Sequence, residues 1–119
     1  MDKNVAEFVA TLLHSGTVAH FMHWASDSYS EHKALQKYYE GIVDLTDSLA
    51  ESYMGRYDQL TQFPEEFHNA KNPIKYFETL REFVDEERDG LPSETEIQNI
   101  VDEIAQLIDS TLYKLRFLK

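Results

Sequence analysis

The sequence predicts an all-α fold, a four-helix bundle of antiparallel helices that forms a single domain over residues 1–119. Apolar residues recur at helical spacing in four segments, and no stretch alternates between apolar and polar residues as a half-buried strand does. The three prolines and Gly90 lie outside or at the ends of these segments. At 119 residues the chain is long enough for one domain with a modest core.

The sequence predicts that the first two helices are long. Helix one runs from about Lys3 to Ala25, and His20 and His23 continue its apolar face. Helix two begins at a capping box, Ser28-x-x-Glu31, and is expected to exceed thirty residues. Its apolar stripe extends as far as about residue 60 and consists of Leu35, Tyr38, Ile42, Leu45, Leu49 and Tyr53.

A short irregular connection separates helices two and three. Residues 62–72 have no helical periodicity and precede Pro73. Apolar spacing over residues 74–84 predicts helix three, which stops at the sequence DGLP, residues 89–92. A second capping box, Ser93-x-x-Glu96, is expected to start helix four, which has the clearest amphipathic pattern in the chain.

Charge and composition exclude several classes of function. The formal net charge of −11 argues against binding of nucleic acid or an anionic membrane through bulk charge. Without cysteine there is no disulfide framework and no thiolate metal site. The N-terminus lacks a signal-peptide pattern, and no apolar run reaches the roughly 18 residues needed to span a bilayer. We therefore expect a cytoplasmic protein with neither nucleic acid nor membrane as partner.

Four residues suggest a metal site: His20, His32, Asp47 and Glu51. The histidines are twelve residues apart on either side of a predicted helix break, and the carboxylates lie one helical turn apart on helix two. Imidazole nitrogen together with carboxylate oxygen suits iron, manganese or zinc better than calcium or magnesium. A hydrogen-bonded core histidine and a solvated acidic face are the more common interpretations of such residues.

The helical projection decides how such a site would have to form. Asp47 and Glu51 project roughly opposite the apolar stripe of helix two, so they point out of the subunit. They would meet His20 only across an interface with a second copy of the chain. Val43 and Met54 lie on the same outward face and make it more apolar than a fully solvated face requires.

The spacing His20-x11-His32-x14-Asp47-x3-Glu51 resembles the ferroxidase signature of Dps proteins, the mini-ferritins. The local sequences of residues 19–32 and 43–51 also resemble those of the Dps family. The resemblance covers about residues 8–60. It implies a ferritin-like bundle that binds Fe(II) and oxidises it with peroxide or oxygen. The two histidines would come from one subunit and the two carboxylates from its two-fold partner, so the resemblance implies a homodimer at least, within a larger homo-oligomeric cage where one forms.

The sequence departs from the family at the first histidine. Family members usually have tryptophan directly after it, whereas here Phe21 follows His20 and the tryptophan is Trp24. His23 is therefore an alternative ligand. His23 and Asp44 are also candidates to orient the ligands or to hold a second ion.

Two other functions stay open. The chain would also suit a non-enzymatic helical-bundle interaction or structural protein that keeps the fold without metal. The spacings Glu82-x-x-Asp85 and Glu86-x-x-Asp89 suggest an all-α nucleotide pyrophosphohydrolase with magnesium. However, the chain has no Glu-x-x-Glu motif, and these acidic turns are more simply interpreted as solvated surface.

Overall fold

Four helices pack together in the computed structural model, which describes residues 2–65 and 68–118. They are α1 (Asp2–Ala25), α2 (Tyr29–Arg56), α3 (Pro73–Glu87) and α4 (Thr95–Phe117), and a short 3-10 turn, Arg88–Gly90, follows α3. The predicted all-α class and four-helix packing are confirmed, and the described residues contain no strand. None of the helices in these residues is long and apolar enough to cross a membrane.

Contacts between side chains give the direction of each helix. Five pairs of residues mark the helix–helix contacts: Ser15 with Tyr38, Asp2 with Tyr53, Arg56 with Glu94, Ser30 with Leu118, and Arg81 with Asp109. They make α1 antiparallel to α2, α2 antiparallel to α4, and α4 antiparallel to α3. Going around the bundle, the order is α1, α2, α4, α3. Helices α2 and α3 therefore run in the same direction and occupy diagonal positions.

This topology requires the connection between α2 and α3 to run along the whole bundle. Leu60 is buried near the start of α1, and Phe63 lies beside the middle of α1. Nε2 of His14 lies 3.1 Å from the carbonyl oxygen and 3.3 Å from the amide nitrogen of His68. The connection thus covers one side of α1. Its non-helical character was predicted from the sequence, whereas its path was not.

The core lies along the axis of the bundle. Its largest fully buried side chains are Phe8, Leu12, Leu35, Tyr38, Ile42, Leu49, Tyr53, Phe77, Ile97, Ile104 and Ile108. The hydroxyl of Tyr38 bonds that of Ser15 at 2.7 Å, so this polar pair is satisfied inside the core. Gly41 allows α4 to approach α2, because a Cβ there would lie 3.3 Å from Leu107. The apolar stripe of α2 predicted from the sequence faces this core, with Leu45 only partly buried.

The structure corrects the predicted end of α2. The helix has 28 residues and ends at Arg56, so the expectation of more than thirty residues reaching residue 60 is wrong. Gly55 is a poor helix former, and the backbone of Tyr57 leaves the helical region with φ −120° and ψ −97°. The Tyr57 hydroxyl then bonds the Glu94 carboxylate of α4 at 2.5 Å, which holds the chain in its new direction.

The two predicted capping boxes have different outcomes. Ser28 is the N-cap of α2, and its hydroxyl accepts a hydrogen bond from the backbone N–H of Glu31. The predicted second box is wrong, because α4 begins at Thr95 with Glu94 as its N-cap and no side chain bonds the first turn. The carboxylate of Glu94 is instead bound by Tyr57 and Arg56.

Candidate metal centre at the turn between α1 and α2

Three histidines meet where α1 ends and α2 begins. His20 and His23 lie one turn apart near the end of α1, and His32 faces them from the first turn of α2. The rings of His23 and His32 are stacked, with centroids 3.5 Å apart and planes 19° apart, and the ring of His20 lies 5.9 Å from that of His23. The short turn of residues 26–28 brings the two helix ends this close together.

The ring of His23 hydrogen-bonds the backbone of His32, and the ring of His32 hydrogen-bonds the backbone of His23. Nδ1 of His23 donates to the carbonyl oxygen of His32 at 2.7 Å, and Nδ1 of His32 donates to the carbonyl oxygen of His23 at 3.0 Å. A carbonyl oxygen only accepts, so each neutral ring carries its proton on Nδ1. Each Nε2 then presents a lone pair, and neither makes a hydrogen bond within the described residues. Metal-binding histidines are commonly fixed in this way.

His20 is positioned by aromatic contacts. Its ring lies flat on that of Tyr39 with centroids 4.0 Å apart and planes 11° apart, and the Trp24 ring lies 4.5 Å away on the same helix. His23 is buried, whereas His20 is half-buried and Trp24 is 67% exposed. The histidine cluster, which we define as His20, His23 and His32, therefore lies at the boundary between core and solvent.

The carboxylates of the predicted site lie elsewhere on α2. Asp44, Asp47 and Glu51 are all exposed. Asp47 follows His32 by fifteen residues, which corresponds to roughly 22 Å along a helix. Within residues 2–65 and 68–118, no group of three or more histidine and acidic side chains converges as a metal site. One chain thus brings the three histidines together and keeps the acidic residues apart from them.

The surface around Asp47 is partly apolar. A groove of about 430 Å³ lies between α1, α2 and the connection, and its lining includes Leu13, Asp47, Ala50 and Phe63. Leu13 is 49% exposed and Phe63 is 53% exposed. Val43, 41% exposed, lies one turn from Asp47 on α2. This surface combines carboxylates with uncovered apolar side chains.

A family model, described as a family of unknown function (DUF5856), matches residues 23–115. The chain belongs to this family. No curated protein and no solved structure matches the chain. The DUF5856 match includes His23, His32, Asp47 and Glu51, and it begins three residues after His20.

The opposite end of this DUF5856 bundle carries a second group of polar side chains. The Tyr53 hydroxyl donates to the Asp2 carboxylate, and that of Tyr57 donates to Glu94, which also lies 3.6 Å from Arg56. Burial, followed by the bond to Asp2, raises the pKa of Tyr53 to about 12. The bond from Tyr57 lowers the pKa of Glu94 below its usual range.

The acidic turns of α3 form no comparable centre. Asp85 pairs with Arg81 at 2.5 Å, and Glu82, Glu86 and Asp89 are exposed. This is the arrangement of a solvated helix face.

The sequence predicted His20 and His32 as the histidine ligands, with His23 as the alternative, and the closest ring pair in the structure is His23 with His32. The stacking of Tyr39 on His20 was not predicted, because a stacking contact depends on the crossing of two helices.

Proposed function

We propose that this chain is a Dps-like, ferritin-like bundle that binds and oxidises Fe(II) at a site between subunits. His20 and His32 of one chain supply imidazole ligands, and Asp47 and Glu51 of a two-fold partner supply carboxylates. His23 is the alternative to His20, and Asp44 is the candidate to orient a ligand. Iron is the substrate, and zinc or manganese are the other ions that this ligand set suits.

The helix directions support the ferritin-like part of this proposal. Ferritin-like bundles have one long crossover connection, which leaves the second and third helices parallel. Here residues 57–65 and 68–72 extend from one end of the bundle to the other, and α2 and α3 point the same way. A bundle with three short turns would have made them antiparallel.

The hydrogen bonding of the imidazole nitrogens is the single observation that supports the proposed metal binding. Two adjacent rings have Nδ1 committed to backbone carbonyls and Nε2 unused. A core histidine with a structural role has no need to keep a lone pair unpaired. The rings of His23 and His32 are stacked with centroids 3.5 Å apart, and the ring of His20 lies 5.9 Å from that of His23. We propose that His32 and either His20 or His23 direct their Nε2 atoms to one ion.

The distance between the histidines and the carboxylates supports a site that needs a second subunit. The roughly 22 Å that separates His32 from Asp47 along α2 prevents them from sharing an ion within one chain. An antiparallel α2 of a partner would bring its Asp47 toward the histidine cluster and cover the exposed Val43 and Leu13. We therefore propose a homodimer as the minimal functional unit.

The chemistry that such a site supports is electron transfer from bound Fe(II) to peroxide or oxygen. With hydrogen peroxide, two Fe(II) ions supply two electrons, the O–O bond breaks, and two protons complete two water molecules. The neutral imidazoles hold Fe(II), while the carboxylates supply negative charge that stabilises the Fe(III) product. His20, packed on Tyr39, and His32, fixed through its Nδ1, are oriented before the ion arrives.

A non-enzymatic interaction or structural protein is the second candidate function. The observation in its favour is that no three potential ligands converge within the described part of one chain. This function requires neither stoichiometric metal nor peroxide consumption. Both candidate functions need neither nucleic acid nor a membrane.

Mixing two inactive variants tests the proposal. His32→Ala removes one ligand type and Asp47→Asn the other, so each homodimer should fail to bind Fe(II). In a mixed dimer, one site carries both defects and the other carries none. Refolding the variants together at equal ratio should therefore restore about a quarter of the wild-type sites, because half of the dimers are mixed. Anaerobic Fe(II) titration and the mass in solution measure both quantities.

Glu103→Gln is the matched control for Asp47→Asn, since Glu103 is an exposed carboxylate on α4 outside the ion pairs of the described residues. It should leave Fe(II) binding unchanged. A wild-type protein that is monomeric, or a mixture that recovers no sites, would overturn the intersubunit proposal. A wild-type protein that binds no Fe(II) at all would instead favour the non-enzymatic function.

A further inference from the structure

A groove between α2 and α4 gathers three of the lysines of this acidic chain. We call it the lysine groove, and its lining residues include Tyr29, Lys33, Lys37, Lys114 and Leu118. Its volume is about 500 Å³, and Glu40 is the acidic residue of its lining. The groove is thus a locally cationic surface on a chain whose formal net charge is −11.

The lysines of the groove have no carboxylate partner. All ion pairs within residues 2–65 and 68–118 are made by arginines: Arg56, Arg81, Arg88 and Arg116. Lys33 instead points at the ring of Tyr29, with Nζ 6.0 Å from the centroid. In a chain with 22 acidic residues, carboxylates are abundant, so three unpaired ammonium groups in one groove are an unusual arrangement.

Lys37 of α2 and Lys114 of α4 line the groove together. Burial, followed by the nearby charge of Lys37, lowers the pKa of Lys114. Two like charges near each other repel, and partial burial strengthens the repulsion. An anion placed between them would remove this cost and accept hydrogen bonds from both groups.

The groove also has an apolar part that is uncovered. Tyr29 is 76% exposed and Leu118 is 46% exposed, and Ala34 also lines the groove. The stems of the lysines add further apolar surface. A simple inorganic anion would leave this surface in water, whereas a ligand with one charged end and one apolar end would cover it.

We propose that the lysine groove binds a small anionic amphiphile, with a carboxylate held between Lys37 and Lys114 and an aliphatic chain lying on Tyr29 and Leu118. This site is separate from the metal centre and does not depend on the proposed ferroxidase function. Charge complementarity selects the anionic head, and the size of the groove selects one small molecule over an extended polymer.

Titration with three probes at matched ionic strength tests this proposal, with decanoate, decanol and acetate as the probes. Decanoate should bind at least about tenfold more tightly than either of the others, because only it has both parts of the ligand. Amide chemical shifts should change within residues 29–40 and 114–118. Equal binding of decanol, equal binding of acetate, or shift changes centred elsewhere would each overturn the proposal.

Variants separate the groove from the overall charge of the protein. The double substitution Lys37→Gln with Lys114→Gln should weaken decanoate binding at least about tenfold, since both hydrogen-bonded charges are removed. The double substitution Lys3→Gln with Lys75→Gln is the matched control, because it removes the same two charges from exposed lysines outside the groove. Equal losses in the control and the double variant would show that net charge, and not this groove, governs binding. All four substituted lysines are at least partly exposed, so the variants should fold.

Discussion

The two ends of the bundle place titratable side chains next to the core in different ways. At the tyrosine end, which comprises Asp2, Tyr53, Arg56, Tyr57 and Glu94, side chains bond other side chains. At the histidine end, His23 and His32 bond backbone carbonyls through Nδ1. At the tyrosine end, hydroxyls and carboxylates bond one another. At the histidine end, Nδ1 of His23 and of His32 is hydrogen-bonded, whereas Nε2 of each ring is not, within the part of the chain that the structure describes.

This difference separates a structural polar cluster from a binding surface. Polar groups that serve only the fold lower its free energy when both partners are satisfied. The tyrosine end nearly reaches that condition, with Oε1 of Glu94 the one buried side-chain oxygen without a partner in the described residues. The histidine end leaves Nε2 of His23 and Nε2 of His32 without a hydrogen bond in the described residues. We expect substitutions at the two ends to affect different properties.

His32→Ala should give the largest effect on binding. Removal of a direct ligand should weaken Fe(II) binding by at least about 100-fold, while the loss of one half-buried hydrogen bond should cost only about 1 kcal/mol of stability. Trp24 is the only tryptophan of the chain and lies 4.5 Å from His20, so its fluorescence can follow Fe(II) titration under anaerobic conditions. Urea unfolding gives the stability.

His14→Ala is the control for His32→Ala, because His14 lies on α1 but contacts His68 of the connection. It should leave Fe(II) binding unchanged. A comparison of His20→Ala with His23→Ala then identifies the second histidine ligand. If His20→Ala, His23→Ala and His32→Ala all leave Fe(II) affinity unchanged, the unpaired ring nitrogens have no role in metal binding.

Tyr53→Phe should reduce stability by about 1 kcal/mol and leave Fe(II) binding unchanged, because it removes one hydrogen bond at the tyrosine end. It should also change the alkaline pH dependence. The pKa of Tyr53 is raised from 10.0 to about 12, so its contribution is complete below pH 10 and is lost as pH rises from 10 to 12. The variant should therefore lose stability less steeply in that window.

Urea unfolding at several values between pH 8 and pH 12 measures this slope. Tyr113→Phe is the control, since the Tyr113 ring is 55% exposed and the group has no hydrogen bond within the described residues. An unchanged slope in Tyr53→Phe would contradict the role given to burial of that hydroxyl.

The sequence predicted the architecture more completely than the site. Helical periodicity was sufficient for four helices, and Ser28 marked the start of α2 because a capping hydroxyl acts within its own turn. The end of α2 was wrong because it depends on Glu94, which is 37 residues from Tyr57. The predicted cap at Ser93 failed for the same reason.

Contacts between helices also limited what could be predicted about the sites. The histidine spacing indicated a cluster, but the stacking of His23 on His32 depends on how the turn closes. The lysine groove was not predicted, because Lys114 joins Lys37 only through the packing of α4 on α2.

Glu94→Gln should have a smaller effect, which is present at neutral pH and disappears in acid. The bond from Tyr57 lowers the pKa of Glu94 below 4.5, so this contribution to stability is present above pH 4.5 and is lost as pH falls below it. The variant should therefore be less stable than wild type at pH 7, and the difference should shrink below pH 4.5 because the variant loses stability less steeply there. Thermal unfolding between pH 3 and pH 7 measures this, with Glu103→Gln as control. Identical acid limbs in wild type and variant would show that the Tyr57 bond does not stabilise the charged carboxylate.

The last prediction concerns DNA, which we expect to bind at neither end of the bundle. The lysine groove lies at the same end of the bundle as the histidine cluster, so a polyanion would be expected there first. Affinity for a duplex depends on how many phosphates are neutralised, and three lysines beside Glu40 neutralise few. The net charge of −11 adds a long-range repulsion that is strongest at low salt. We expect no retention of duplex DNA in a gel-shift titration at about 50 mM salt, where electrostatic binding would be near its strongest. Retention that disappears in the double substitution Lys37→Gln with Lys114→Gln would show instead that assembly gathers several lysine grooves into one cationic surface.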